Sequence, residues 1–202
     1  MINHFFHIGI DQSGNDCWTD GPTLWIGATG KGKSARFVAN SIAKCRQKGQ
    51  CRIVDCGGET DMVTSNRLQN GRLSFDEIWK TAPALMENAL FDTSPEVPII
   101  VDEPSALIKE DPQWSRHLSR AIKDKRNIAL TFQWLKPSQY QDFRDQLEHC
   151  TIVFLSTKSL NDVSKDYLQR LTTPIPRTDD MENVCFVSLP AKNHKRIWLA
   201  HT

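Results

Sequence analysis

Hydrophobic residues along the chain fall into short runs that are separated by polar or glycine-rich segments. Short apolar runs bounded by turn-forming residues predict β-strands. The nearly continuous apolar run of residues 97–102 is typical of a strand that is covered on both faces of a sheet. The predicted strands are residues 5–10, 23–27, 52–55, 97–102, 127–133 and 150–156, followed by a terminal hairpin of residues 183–189 and 195–200.

Between several of these runs, hydrophobic residues recur at spacings of three and four, as in an amphipathic helix. The predicted helices cover residues 34–48, 74–90, 113–125 and 161–171, and residues 11–14 (DQSG) are predicted to form a turn. Alternating strands and helices predict an α/β fold with a mostly parallel, doubly wound sheet, to which the C-terminal hairpin adds antiparallel strands. We expect residues 1–202 to form a single domain.

A glycine-rich loop follows the strand of residues 23–27 and fits the pattern GxxxxGK[ST] at every fixed position. Glycines let the backbone N–H groups of such a loop surround a phosphate chain, and the next helix adds the positive end of its dipole. The flanking strand and helix are the context that a chance match lacks. The loop predicts an ATP site in a RecA-like P-loop NTPase, with nucleotide-binding residues Gly27, Ala28, Thr29, Gly30, Lys31, Gly32, Lys33, Ser34 and Ala35.

Two residues of this loop are predicted to have specific chemical roles. In P-loop proteins the lysine of the pattern reaches the β- and γ-phosphates, and the hydroxyl that follows it ligates Mg²⁺. Lys33 is therefore predicted to bind the phosphates and to act in catalysis. Ser34 is predicted to be a Mg²⁺ ligand.

An acidic pair, Asp102 and Glu103, closes the apolar run of residues 97–102. After a P-loop, such a pair is typical of a Walker B motif, in which the first carboxylate holds Mg²⁺ and the second polarises the attacking water. We predict that Asp102 is a metal ligand and that Glu103 is the catalytic general base. The alternative is a strand that ends in acidic residues for no functional reason.

Two other polar residues also end predicted strands. Gln133 follows the apolar residues 128–132, and in a doubly wound sheet the C-terminal strand ends line the ligand crevice. We predict that Gln133 takes part in catalysis by orienting the water or sensing the γ-phosphate, the alternative being a surface amide. Asp55 either lies at the same crevice or forms a turn with the glycines that follow it.

Composition narrows the function classes. The chain has 202 residues, of which 39% are hydrophobic and 24% charged, and its net charge is +1. This charge gives no support for passive wrapping of nucleic acid, so any DNA contact must come from local patches. No apolar run approaches the roughly 20 residues that span a bilayer, and the N-terminus lacks a secretory pattern. We therefore expect a cytoplasmic protein without membrane insertion, found in the host cytoplasm or the virion if it is viral.

The six cysteines form no CxxC pair, and we expect reduced thiols rather than a metal site. Basic residues cluster in three places, each of which is most simply a solvated face. A residue of the middle cluster, or Arg116 or Arg120, could act as an arginine finger at a neighbouring subunit's ATP. The clusters are Lys44, Arg46, Lys48 and Arg52; Lys123, Lys125 and Arg126; and Lys192, Lys195 and Arg196.

Taken in order, several segments resemble the consecutive motifs of the FtsK/HerA superfamily of DNA-pumping ATPases. They are HIGIDQSGNDCWTDGPTLWIGATGKGKS, IVDCGGE, VPIIVDEPSAL, NIALTFQWLKPSQ and CTIVFLSTKSLNDVSKDYL. The resemblance covers nearly the whole chain, although only its P-loop is specific when taken alone. It implies ATP-driven movement of double- or single-stranded DNA through a ring, usually a hexamer. Members of the superfamily partition chromosomes, couple plasmids to conjugation machinery or package viral genomes.

In this resemblance, Lys33, Ser34, Asp102, Glu103 and Gln133 match the motif positions of the superfamily. The implied partners are DNA, bound without sequence specificity, and further copies of the chain. A portal, membrane or conjugation protein is a further candidate partner.

The chain departs from the superfamily pattern at three places. Lys31 stands where a small residue is usual, and Pro104 stands where an aromatic residue is common. Cys56 and Gly57 replace the common Pro-Lys pair. The last two departures bear on coupling to DNA more than on ATP binding.

Two other function classes remain open from the sequence. One is an ATP-dependent switch or assembly factor that binds a protein partner and moves no DNA. The other is a small-molecule kinase, which is disfavoured because Glu103 would activate water, whereas a kinase must exclude water.

Overall fold

The computed structural model describes residues 6–11, 13–19, 21–27, 52–55, 90–91, 94–105, 108, 113–133, 146, 149–154, 184–188 and 197–200. The strands are β1 (Phe6–Asp11), β2 (Asp16–Thr19), β3 (Thr23–Ile26), β4 (Arg52–Asp55), β5 (Ile99–Asp102), β6 (Ile128–Phe132), β7 (Thr151–Phe154), β8 (Val184–Ser188) and β9 (Ile197–Ala200). Helix α1 covers Gln113–Lys123. The predicted helices 34–48 and 161–171, and all of 74–90 except its last residue, lie outside the described residues.

The strands of the described residues form one sheet in the order β2-β1-β9-β8-β7-β3-β6-β5-β4. The five strands from β7 to β4 in this order pair in parallel. Strands β6 and β7 do not lie beside each other, because β3 stands between them, and such a crossover is expected of a wound α/β sheet. The predicted α/β, RecA-like fold is therefore confirmed, with five parallel strands in the sheet.

The antiparallel part of the sheet is larger than predicted. Strands β8 and β9 form the predicted antiparallel hairpin, and β8 pairs with β7. Strand β9 also pairs with β1, which in turn pairs with β2. The sequence prediction missed β2 because it is a short edge strand whose first residue is exposed, so it shows no clear alternation.

The turn predicted after β1 is confirmed by its hydrogen bonds. The Asp11 carboxylate accepts the backbone N–H groups of Ser13 at 2.8 Å and Asn15 at 2.9 Å. Gly14 has a φ of 82°, a conformation that glycine adopts without a steric penalty. The N–H of Asn15 is the main reason that the pKa of Asp11 is lowered.

Helix α1 packs on one face of the parallel strands. Its buried residues Trp114, Leu118, Ala121 and Ile122 recur at helical spacing, which agrees with the predicted helix 113–125. Alternate strand residues supply the opposing side chains, and these include Leu24, Ile26, Val54, Ile99, Val101, Leu130, Phe132 and Ile152. The other face is buried as well, since Trp25, Ile100, Ala129 and Thr131 are all inaccessible to solvent. The parallel strands are therefore covered on both sides, as their apolar runs predict.

No helix in the described part of the chain is long and apolar enough to cross a membrane. Two cysteines of that part, Cys17 and Cys150, are free thiols. Burial raises the pKa of the Cys150 thiol, so this side chain behaves as a small hydrophobic group.

The C-terminal end of α1 closes with a left-handed residue. The N–H of Lys125 donates to the carbonyl of Ile122 at 2.9 Å, and the N–H of Arg126 donates to the carbonyl of Ala121 at 3.0 Å. This pair of bonds is a Schellman motif, whose left-handed position is usually glycine. Lys125 occupies that position with a φ of 52°.

We expect Lys125→Gly to stabilise the protein by up to about 1 kcal/mol, because the relief of left-handed strain exceeds the added entropy of the unfolded chain. Lys123→Gly is the matched control, since it places glycine inside the same helix and should destabilise by up to about 1 kcal/mol. Urea unfolding of both variants measures the difference. Equal destabilisation by the two glycines would contradict the prediction.

Candidate nucleotide and metal site

The C-terminal ends of the parallel strands bring those candidate residues that the structure describes to one edge of the sheet. Gly27 follows β3, Asp55 ends β4, Asp102 ends β5 and Gln133 follows β6. Because β6 lies between β3 and β5, Gln133 stands between the start of the glycine-rich loop and the acidic pair. Ligands bind at this edge in open α/β sheets.

The start of the glycine-rich loop is held to β6 by a backbone hydrogen bond. The N–H of Gly27 donates to the carbonyl of Phe132 at 3.0 Å, which continues the parallel pairing of Ile26 with Phe132. Strands β3 and β5 flank β6, so their axes lie roughly 10 Å apart. Residues 28–35, including Lys33 and Ser34, lie outside the described residues, and their roles stay predictions.

The Asp102 carboxylate is buried, with a relative exposure of 1%. Thr131 is its direct neighbour in the parallel register of β5 and β6, and the Thr131 hydroxyl donates a hydrogen bond to Oδ1 of Asp102. A buried carboxylate is costly unless hydrogen bonds or a cation compensate its lost hydration. A carboxylate has about four lone-pair sites, so accepting this bond leaves it capacity to bind a cation.

Glu103 has an unusual backbone conformation. Its φ is 52°, although a non-glycine residue rarely adopts a positive φ and Pro104 follows it. A residue before proline is already restricted to extended conformations, so this conformation is strained, by roughly 1–3 kcal/mol. The N–H of Glu103 donates to Oγ1 of Thr131 at 3.0 Å. The glutamate side chain is half-buried.

Pro104, one of the departures noted in the sequence, starts a helical turn directly after the acidic pair. Its carbonyl accepts the N–H of Ile108 at 3.0 Å. Proline suits the start of a helix because its φ is already helical and its missing N–H would have no partner within the helix. The acidic pair is therefore held between β5 and this turn.

The remaining predicted site residues are placed as follows. Gln133 is half-buried at the end of β6. The Cα atom of Asp55 lies in register with that of Asp102, which puts its backbone at the same edge. This position fits the crevice alternative for Asp55.

The middle basic cluster lies away from this edge. Helix α1 leads back to the start of β6, and Arg126 lies two positions before that start. Arg126 is 6% exposed, and its guanidinium lies 6.0 Å from the centre of the Phe91 ring, which Arg120 approaches at 4.3 Å. Burial lowers the pKa of Arg126. An arginine finger has to reach another subunit, so the exposed Arg116 suits that role better than Arg126 does.

The donor atoms at this edge fit Mg²⁺. This ion prefers hard oxygen ligands, and in nucleotide sites it is usually held by one or two carboxylates, by waters and by phosphates. Asp102 supplies such a carboxylate. Within the described ranges, no group of three or more His, Cys, Asp and Glu side chains could form a metal cage by itself. The phosphates of a nucleotide would have to complete the coordination.

Solved structures of other proteins share this architecture. The cytoplasmic domain of the type VII secretion ATPase EccC from Thermomonospora curvata matches with a TM-score of 0.63 at 18% identity, over 99% of this chain and 29% of that chain. The conjugation coupling protein TcpA of pCW3, with ATPγS, matches with a TM-score of 0.60 at 11% identity, over 99% of this chain and 66% of that chain. The genome packaging NTPase B204 from Sulfolobus turreted icosahedral virus 2, with AMPPCP, matches with a TM-score of 0.60 at 12% identity, over 91% of this chain and 98% of that chain.

The described sheet and these structural matches define an α/β protein with a RecA-like fold. More narrowly, the chain has an FtsK/HerA-like P-loop ATPase fold, as its resemblance predicts. It spans only about a third of the EccC chain, at 29%. No protein-family model and no curated protein sequence matches the chain.

Sequence reasoning missed Thr131 as a member of this site. The signal was present, since Thr131 is the one polar residue in the otherwise apolar run of β6 and lies two positions before Gln133. A buried hydroxyl in such a run needs a hydrogen-bond partner. The identity of that partner depends on which strand lies beside β6.

The positive φ of Glu103 can be tested by comparing the free energy of unfolding of two variants at this position. We expect Glu103→Gly to be more stable than Glu103→Ala by about 1 kcal/mol, which reverses the usual order of these residues, because only glycine adopts this conformation without strain. Both variants lose the carboxylate, so each controls for the other. Urea unfolding measures the difference, and an alanine variant that is equally stable or more stable would contradict the positive φ.

Proposed function

We propose that the protein is an ATP-hydrolysing motor domain that translocates DNA, in the transfer of a plasmid or other mobile element or in viral genome packaging. The observation that carries this proposal is the position of the acidic pair. Asp102 is buried at the C-terminal end of β5, Glu103 follows it, and both lie at the sheet edge where β3 leads into the glycine-rich loop.

ATP binding is assigned to the loop of residues 27–35. Its backbone N–H groups and the Lys33 ammonium would surround the phosphates. Ser34 and Asp102 would hold Mg²⁺, which neutralises charge that develops on the transferred phosphoryl group. The buried setting of Asp102 strengthens this contribution, because electrostatic interactions are screened less where water is excluded.

Glu103 is assigned to the activation of water. Its carboxylate accepts a proton from the water as the water oxygen bonds to the γ-phosphorus, and the bond from the γ-phosphorus to the bridging oxygen breaks. ADP and phosphate are the products. Gln133, on the strand between the loop and the acidic pair, is positioned to orient this water or to contact the γ-phosphate.

The structural neighbours support a motor that acts on a polymer. TcpA is described as a conjugation coupling protein and B204 as a genome packaging NTPase. B204 has also been solved with AMP and with ATPγS. Self-association into a ring, most simply a hexamer, would let an arginine of one copy reach the ATP of the next. A portal, membrane or conjugation protein would then dock on that ring.

A second candidate is an ATP-dependent switch or assembly factor that binds a protein partner. One neighbour favours this alternative, since a structure of EccC from Thermomonospora curvata contains a signal sequence peptide. That match has a TM-score of 0.63 at 14% identity. In this alternative, ATP binding and hydrolysis at the same site would control the binding of a peptide or protein, and the protein would move no DNA.

The catalytic assignment predicts that Glu103→Gln binds ATP but loses about 10²–10⁴-fold in kcat, because the amide cannot accept the proton from water. Glu96→Gln is the matched control: it makes the same change at an exposed residue before the N-terminal end of β5 and should keep the wild-type rate. Lys33→Ala should lose ATP binding as well as turnover. Steady-state phosphate release and binding of a fluorescent ATP analogue measure these effects. Wild-type turnover by Glu103→Gln would exclude Glu103 as the base.

The translocase assignment predicts that linear duplex DNA raises the ATPase rate of the wild type several-fold, with no dependence on DNA sequence. Phosphate release is measured with and without duplexes of two unrelated sequences, beside Lys33→Ala as the blank. A rate that rises steeply with protein concentration would support a catalytic residue from a neighbouring copy. An ATPase rate that exceeds the Lys33→Ala blank but does not change with any DNA would contradict the translocase proposal and support the protein-partner switch.

A further inference from the structure

Thr131 links the two acids of the site through a single hydroxyl group. It is fully buried in β6, and its Cα atom is the register partner of the Cα atom of Asp102. Its Oγ1 contacts Oδ1 of Asp102 and the backbone N of Glu103. Both contacts are hydrogen bonds, and they join residues that are 28 and 29 positions apart in sequence.

The directions of these two bonds follow from the number of protons. A threonine hydroxyl has one O–H to donate and two lone pairs that accept. The backbone N–H of Glu103 can only donate, so a lone pair of Oγ1 must face it. An ionised carboxylate can only accept, so the single O–H must point at Asp102. The orientation of the Thr131 hydroxyl is therefore fully determined by its two neighbours.

The bond to Glu103 holds a backbone that is otherwise unfavourable. Glu103 has a φ of 52° directly before Pro104, and a conformation of this kind persists only when surrounding contacts fix it. Thr131 supplies one such contact on the strand side, and the helical turn after Pro104 supplies another. The direction in which the Glu103 side chain leaves the backbone depends on this φ.

We infer that Thr131 is a positioning residue that fixes Glu103 relative to Asp102, so that the general base and the metal ligand are held in one geometry. This inference rests on the proposed ATP hydrolysis and adds to it a residue that touches neither substrate nor metal. Displacement of a catalytic group by about 1 Å can cost about 100-fold in rate. Loss of the Thr131 hydroxyl should therefore act on turnover and leave nucleotide binding nearly intact.

The test compares three variants of the full chain. Thr131→Val keeps the shape and removes the hydroxyl, whereas Thr131→Ser keeps the hydroxyl. Thr23→Val is the matched control, because Thr23 is equally buried and its hydroxyl also makes hydrogen bonds, with Thr19 and Gly21 at the start of β3. Thr23→Val therefore removes a buried hydroxyl at the opposite edge of the sheet, at the N-terminal end of β3. The readouts are kcat, the Kd of a fluorescent ATP analogue, and hydrogen–deuterium exchange of the Glu103 amide without nucleotide.

We expect Thr131→Val to lower kcat by about 10- to 100-fold while the Kd changes by less than about threefold. Its Glu103 amide should exchange faster than that of the wild type. Thr131→Ser should restore most of the turnover and the slow exchange, and Thr23→Val should match the wild type in both.

Wild-type turnover in Thr131→Val, or an equal loss in Thr23→Val, would overturn the positioning role. A wild type without any ATPase activity would reject the proposed function instead. Hydrogen–deuterium exchange would still test whether Thr131 holds the Glu103 backbone. Faster exchange of the Glu103 amide only in Thr131→Val would support this contact, and equal exchange in all variants would refute it.

Discussion

The parallel pairing of β6 with both β3 and β5 is the constraint on which the site depends. Backbone hydrogen bonds fix the register of these strands, so their C-terminal residues reach the same edge at neighbouring positions. A slip of one residue in β6 would turn Thr131 to the opposite face and take its hydroxyl away from Asp102. The apolar side chains under α1 and on the other face hold this register, because a slip would exchange the two faces and break the packing of both.

The arrangement of residues at this edge is obtained at some expense of stability. Burial of the Asp102 carboxylate removes its hydration, and the Thr131 hydroxyl offsets part of that loss. The positive φ of Glu103 stores further strain directly after Asp102. Lys125 shows the same type of backbone at a helix end, where no site is involved. A positive φ by itself therefore does not identify a functional residue, and the proposed role of Glu103 rests on its neighbours Asp102 and Thr131 as well.

The fold and the site answer different questions about function. The neighbours include a secretion ATPase, a conjugation coupling protein and a packaging NTPase, and they share this architecture at 18% identity or less. A fold that serves several processes does not select one of them. The acidic pair at the end of β5 and the glycine-rich loop argue for ATP chemistry.

The sequence by itself determined the local features. Short apolar runs predicted the parallel strands, helical spacing predicted α1, and the acidic pair and Gln133 were correctly located at strand ends. Strand order, the pairing of β1 with both β2 and the terminal hairpin, and the partner of Thr131 were decided only by the tertiary structure. The physical reason is that periodicity reports which face of an element is buried, whereas pairing and backbone strain arise between segments far apart in the chain. Neither the positive φ of Glu103 nor its hydrogen bond to β6 could therefore be predicted from neighbouring residues alone.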